Sequence, residues 1–342
     1  MTEILMQYGL FLAKAATVLI VVWLLIVLFT SYSRRGRKLE VLEIQHLNEK
    51  YRDMALVIKQ GVLPKNEFKK AVKAEKTRLK LEKQSAGRKS RKRVFVLNFH
   101  GDLKATAVSS LREEISALLS LATPEDEVLL RLENAGGLVH EHGLAASQLQ
   151  RIRDRNIPLT IAVDKVAASG GYMMACVGNR ILAAPFAVLG SIGVLAQIPN
   201  FHRLLDQHGI EFEQIKAGEF KRTITLFGEN TDKERAKMQE SLDDLHTHFK
   251  EFVMRYRPGI DVARVATGEH WHAVGALGLG LIDELLTSDD YLLAASTNAE
   301  LYEITYTAKK TLPERLIGSF QSAIEAAVTT LWHRSTQVRL LP

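Results

Sequence analysis

From Val94 onward, short runs of β-branched and aliphatic residues alternate with helix-patterned stretches, and no other feature restricts the fold so strongly. Strands bounded by turns and separated by helical stretches are the signature of an α/β domain. VFVLNF (94–99), EVLLRL (127–132) and PLTIAV (158–163) predict strands, with a further strand near 210–216. Helices are expected over 108–121, 144–155, from about Ser169, and over 200–208 and 232–256. ILAAP (181–185) leads into the loop LGSIGV, and there is no internal repeat beyond the alternation. At 342 residues, 46% of them hydrophobic and 25% charged, the chain has ample core material. That balance excludes a wholly disordered or collagen-like chain. The single cysteine, Cys176, excludes an internal disulfide and a cysteine zinc site.

Upstream lies GLFLAKAATVLIVVWLLIVLFT (9–30), uncharged from Ala15 to Tyr32. A bilayer core needs about 20 apolar residues as helix, so the run is long enough to span. A cleavable signal peptide has a basic start and a shorter apolar core. Here Glu3 stands at the start and bulky Phe29 and Tyr32 precede Arg34, so an uncleaved N-terminal transmembrane helix is expected, with Trp23 and Tyr32 interfacial. Arg34, Arg35, Arg37 and Lys38 directly after it favour a cytoplasmic body. The apolar stretch 181–199 contains Pro185, Gly190, Gly193 and Pro199, and reads as buried strand and loop instead of a second span.

Charge is unevenly placed. Arg34 to Arg93 carries 20 Lys/Arg against 7 Asp/Glu, whereas Val94 to the end carries 24 against 31. The excess of +6 therefore belongs to one arm, and a basic nucleic-acid-binding body is excluded. Residues 39–93 read as two helical pieces broken at Gly61 and Pro64 and ending in a basic linker. Such an arm is either a solvated spacer or a surface for anionic lipid headgroups. Tyr51 and Phe68 are its only aromatic residues, too few to form an interleaved set for stacking on bases.

In VDKVAASGGYMMA (163–175) a strand ends near Val163, a short turn follows, and Ser169 stands at the expected start of a helix with Gly170 and Gly171 behind it. A serine there faces the positive end of the helix, where backbone N–H groups can meet a developing oxyanion. A plain helix N-cap is the competing reading. The turn Asn134-Ala135-Gly136-Gly137 lies between a strand and a helix and offers further N–H donors, or is simply a turn. Neither GxxxxGK[ST] nor G-x-G-x-x-G is present, so no nucleotide cofactor is expected. The histidines His140, His142, His202, His208, His246, His248, His270 and His272 lack the HExxH spacing, so no metal is expected, and none is selected as a base by its distance from Ser169. A neutral lysine can serve as base, which leaves Lys216 and Lys221 in QIKAGEFKRTIT as candidates.

Four ordered motifs, VAASGGYMMA, LGSIGV, IKAGEFKRT and ATGEHWHAVGALGLGLIDEL, resemble the signal peptide peptidase A family of membrane-bound serine proteases, in its SohB branch. The resemblance covers about 94–290. It implies a crotonase/ClpP-like α/β fold and a Ser/Lys dyad. By that resemblance Ser169 is the nucleophile, Lys221 the general base and acid, and Lys216 the first, non-catalytic lysine of the run. The oxyanion hole falls at Gly170 and at Gly136 or Gly137. The usual turn reads Ser-Pro-Gly-Gly, and here the proline that fixes φ is missing. The organisation expected is an anchor over 1–33, a basic arm over 34–93, a peptidase domain over 94–290 and a C-terminal strand and helix over 291–342. The resemblance further implies a serine endopeptidase at the bacterial inner membrane, acting on peptides such as signal-peptide remnants or misfolded membrane-protein segments. Its partners would be the lipid bilayer and further copies in a ring-like homo-oligomer, with the site shared between subunits. Family members act outside the cytoplasm, against the side favoured by the basic flank. An inert scaffold binding membrane-protein segments, motivated by the altered turn, and an acyl-CoA enzyme on the same fold are the alternatives.

Overall fold

The computed structural model describes Lys14, Thr17, residues 40–85 and residues 91–308. Apart from Lys14 and Thr17, which are helical, the span expected over 9–30 lies outside the described residues, as do 309–342 of the C-terminal extension. Among the described residues no helix is long and apolar enough to cross a membrane. Glu43–Thr305 forms one compact unit.

The described part of the arm starts with strand β1 (Glu40–His46) and continues as helices α1 (Leu47–Val62) and α2 (Lys65–Ser85). Pairing in a sheet thus overrides the helical reading of its first residues. The break falls at Leu63-Pro64, because a residue before proline is pushed out of the helical region, and Leu63 is extended at φ −89°, ψ 146°. Gly61 stays inside α1. Next come β2 (Lys92–His100), α3 (Val108–Leu119), β3 (Glu127–Glu133), α4 (Val139–Arg153) and β4 (Leu159–Val163) in the expected order. Around the two glycine motifs the chain forms β5 (Val166–Ala168), α5 (Gly170–Ala175), β6 (Arg180–Ala183) and β7 (Val188–Gly190). The apolar stretch 181–199 is therefore strand and loop, as its prolines and glycines require. The remaining elements are α6 (His202–Gln207), α7 (Asp232–Tyr256), α8 (Val262–Val265), β8 (His270–His272), α9 (Ala273–Gly278), β9 (Glu284–Leu285), α10 (Ser288–Ala295) and β10 (Ala299–Ala308).

The strand expected near 210–216 does not form. These residues are exposed, Ile215 to 97%, and no neighbouring strand satisfies their backbone.

Seven strands make the main sheet in the order β1-β10-β2-β3-β4-β6-β9, with β10 through β9 parallel. Both faces are covered, which is why its central strands read as near-continuous apolar runs. Side chains alternate across β2: Phe95, Leu97 and Phe99 join one core with Leu111, Ile115 and Leu149. Val94 and Val96 join a second core with Leu47, Leu129, Leu292 and Leu301. In a parallel sheet the strand ends coincide, so the turns after β3 and β4 emerge on one rim, where open α/β sheets place ligands. There a small sheet of β5, β7 and β8 carries the glycine motifs.

Candidate active site

Ser169 follows β5 and precedes α5. Its N–H donates to Gly190 O (2.8 Å) and its carbonyl accepts from Met173 N–H (3.0 Å). The LGSIGV loop thus holds the serine backbone from below. Ser169 sits at φ 52°, ψ −120°, a region that costs a residue with a side chain about 1–3 kcal/mol and persists only where its surroundings impose it. Its side chain makes no capping hydrogen bond. The N-cap reading is therefore not supported, and the hydroxyl is left for other chemistry. Tyr172, next in the motif and fully buried, donates its hydroxyl to Leu281 O (2.9 Å) and ties α5 to the body.

The Asn134 turn lies against this junction. Asn134 N–H donates to Val166 O (2.9 Å), and Ala168 N–H donates to Asn134 O (3.0 Å). Gly136 adopts φ 93°, which favours glycine, and a Cβ there would stand 2.7 Å from Ser169 Cβ. Gly137 passes so close to the Leu103 backbone that a side chain would collide with it. The proline is absent, yet the turn is held: Gly136 N–H donates to Asn134 Oδ1 (2.8 Å). That bond engages the Gly136 donor. Gly170 is the first residue of α5, where an N–H has no acceptor within the helix.

A cavity of about 320 Å³ opens over the serine. Gly137, Ser169 and Gly170 line it, together with Val139, Met173, Val194, Leu245, Phe249 and Phe252. The last three come from α7 at i, i+4 and i+7, so they are one stripe of that helix. The sequence reading did not connect this stripe with the serine, although its helical period was legible. Capping fixes where α7 begins: Thr231 N–H donates to Glu234 Oε2 (3.1 Å) and Glu234 N–H donates to Thr231 Oγ1 (3.3 Å).

The predicted lysines are placed elsewhere. Lys216 donates its ammonium to Glu234 Oε1 (2.7 Å), fastening the loop before α7 to that helix. This bond and two from Thr231 hold the Glu234 carboxyl well below its usual range, at about 2. Lys221 lies in an exposed turn, its N–H donating to Gly218 O (3.2 Å). It does not line the cavity within one chain. The structure therefore brings together Ser169, Gly136, Gly137 and Gly170, and leaves Lys221 apart from them.

Of the histidines, His248 lines the cavity, with Nδ1 3.5 Å from Glu251. His142 is completely buried behind the turn. Cys176 is buried and its thiol is pushed up by desolvation, so it stays protonated and takes no part as a nucleophile.

The sequence model of the peptidase family S49 N-terminal region matches residues 3–149, and that of peptidase family S49 matches residues 151–302. A probable protease SohB from Haemophilus influenzae is 44% identical over 98% of this chain and 98% of its own. A probable protease SohB from Buchnera aphidicola subsp. Acyrthosiphon pisum is 43% identical over 93% of this chain and 94% of its own. Among solved structures, a membrane-bound stomatin-specific protease in complex with a substrate peptide matches 68% of this chain and 100% of that one, at 14% identity and a TM-score of 0.42.

Proposed function

The chain belongs to peptidase family S49, and from this premise we propose that it is a membrane-anchored serine endopeptidase with Ser169 as nucleophile and Lys221 as general base. The strained backbone of Ser169 at the floor of the cavity carries this reading. In the mechanism, Ser169 Oγ attacks the scissile carbonyl while Lys221 Nζ takes the hydroxyl proton. The oxyanion rests on the N–H groups of Gly137 and Gly170, since Gly136 donates to Asn134. Lys221 returns the proton to the leaving amine, and water then hydrolyses the acyl-enzyme. Such chemistry on a crotonase/ClpP-like fold agrees with the Gly-rich rim of the sheet.

The apolar lining from Val139, Met173, Val194 and α7 favours an aliphatic or aromatic substrate side chain beside the scissile bond. Signal-peptide remnants and misfolded membrane-protein segments have that chemistry. Residues 9–30 serve as the single-pass anchor in the bacterial inner membrane. The exposed position of Lys221 favours a site shared between copies, one chain supplying the serine and another the lysine. The hydrogen bond that fastens the turn without a proline favours this reading over an inert scaffold.

The test is cleavage of casein by the detergent-solubilised full chain beside Ser169→Ala and Lys221→Ala. Only the wild type is expected to cut, and retention of cleavage by Ser169→Ala would sink the reading. Co-assembling the two inactive variants tests the shared site: activity returns if serine and lysine come from different copies, and stays absent if one copy supplies both.

A further inference from the structure

Two buried polar residues outside the cavity join the two halves of the oxyanion hole. Asn134 is 1% exposed and His142 is 0% exposed. Polar side chains so enclosed persist only when their hydrogen bonds are met. Asn134 Oδ1 accepts from Gly136 N–H (2.8 Å), and its Nδ2 points to Met174 Sδ (3.4 Å) in α5. His142 Nε2 lies 3.2 Å from the same Oδ1, and His142 Nδ1 lies 2.9 Å from Leu138 O. A neutral imidazole carries one N–H, so the ring donates to one of these two oxygens and packs against the other, contacting both ends of the turn, 134 and 138, from inside α4. Its other side supports the nucleophile's neighbour: a Cβ on Gly170 would stand 2.5 Å from His142 Cγ. One ring therefore touches the element that presents the Gly137 N–H and the element that presents the Gly170 N–H.

We infer that Asn134 and His142 are positioning residues that set the separation of the two oxyanion donors, doing by hydrogen bonds what a proline in the turn would do by fixing φ. This deepens the proposed function and rests on Ser169 being the nucleophile. Asn134 supplies the acceptor for Gly136 N–H, while His142 supports Asn134 Oδ1 and also contacts Leu138 O at the other end of the turn. Neither touches the substrate. Their effect therefore falls on the chemical step, where donors aimed at the developing oxyanion act, and leaves binding in the apolar cavity unchanged.

The experiment uses the full chain in detergent and a fluorophosphonate probe, whose attack by serine also develops charge on oxygen. Its concentration dependence separates the limiting rate, kinact, from binding, KI. Asn134→Ala is expected to lower kinact about 10- to 100-fold with KI changed less than about threefold, a smaller loss than the about 10²–10³-fold of deleting a donor outright, because the donor is displaced and not removed. Asn134→Asp keeps the acceptor and restores kinact to within a few-fold of wild type. His142→Phe keeps the ring that supports Gly170 but loses both nitrogens, and lowers kinact. The double variant Asn134→Ala/His142→Phe loses less than the product of the two single losses, because part of the His142 effect runs through Asn134.

The inference is overturned if Asn134→Ala reacts as fast as wild type, if Asn134→Asp is as slow as Asn134→Ala, or if the two losses multiply in full. A variant that fails to fold would lose saturable labelling altogether, whereas displaced donors give labelling that saturates with an unchanged KI and a lowered kinact. Absence of labelling in the wild type, or equal labelling of Ser169→Ala, would instead remove the reading of Ser169 on which the inference stands.

Discussion

At Gly171, a methyl group would be driven into the carbonyl oxygen of Asn134, the atom that accepts the Ala168 N–H just before the nucleophile. Backbone cannot yield as a flexible side chain can. Gly171→Ala is therefore expected to destabilise the fold by about 1–3 kcal/mol, the usual cost of overpacking, and to displace Ser169. Urea denaturation measures the first effect, and probe labelling of Ser169 the second. At Cys176 the expectation is the opposite, a residue without chemistry. Iodoacetamide at pH 8 should leave the folded protein unmodified and alkylate one thiol per chain once urea has unfolded it, because burial keeps that thiol protonated and out of reach. Gly171 within the motif and Cys176 directly after it thus acquire different roles from their surroundings. The motif itself was legible as a strand-to-helix serine with glycines behind it. The roles of Asn134 and His142 were not, since an asparagine in a turn and a histidine in a helix carry no signal until folding sets them 3.2 Å apart.

Among the elements, α7 does two things at once: its apolar stripe walls the cavity, and its capped N-terminus receives Lys216 from the preceding loop. Glu234 is depressed to about 2 in the folded chain, against 4.5 as its ordinary value. The sign follows directly. A carboxyl whose folded pKa is lowered contributes its stabilisation above the unfolded value and loses it as pH falls from about 4.5 towards about 2. The attachment of the 210–222 loop should weaken over that window. Both groups border solvent, so salt reduces the effect. At pH 7, Lys216→Met mimics the loss, and limited trypsinolysis near Arg222 should proceed faster than in wild type, with cleavage elsewhere unchanged. Lys216→Met is also expected to retain more casein cleavage than Lys221→Ala, in keeping with the lysine order implied by the motif.

On the scale of the whole molecule, β10 shows how far the compact unit reaches along the chain. Although it is the last of the described elements, it lies beside β2, pairing Leu301 with Val94, and Leu301 is completely buried among Leu47, Val94, Val96, Leu129 and Leu292. Leu301→Ala should cost about 2–5 kcal/mol of unfolding free energy in urea, as core truncations do. A cost below 1 kcal/mol would show that this strand is not integral to the sheet. Sequence by itself determined the α/β class, the positions of the central strands, the break before Pro64 and the serine at the start of α5, because these depend on periodicity, backbone stereochemistry and residues a few places apart; the short strand β5 in front of that serine reads as a turn in the sequence alone. It also exposed the apolar run 9–30 and the concentration of positive charge in the arm. Tertiary structure decided the rest. It recruited 40–46 into a strand, denied one to 210–216, and set α7 over Ser169 although that helix begins more than 60 residues later. It also left Lys221 exposed and away from the serine of its own chain. Each of these depends on whether a partner is present across space, a strand to pair with or a buried acceptor to meet, and local sequence does not encode which distant segment will provide it.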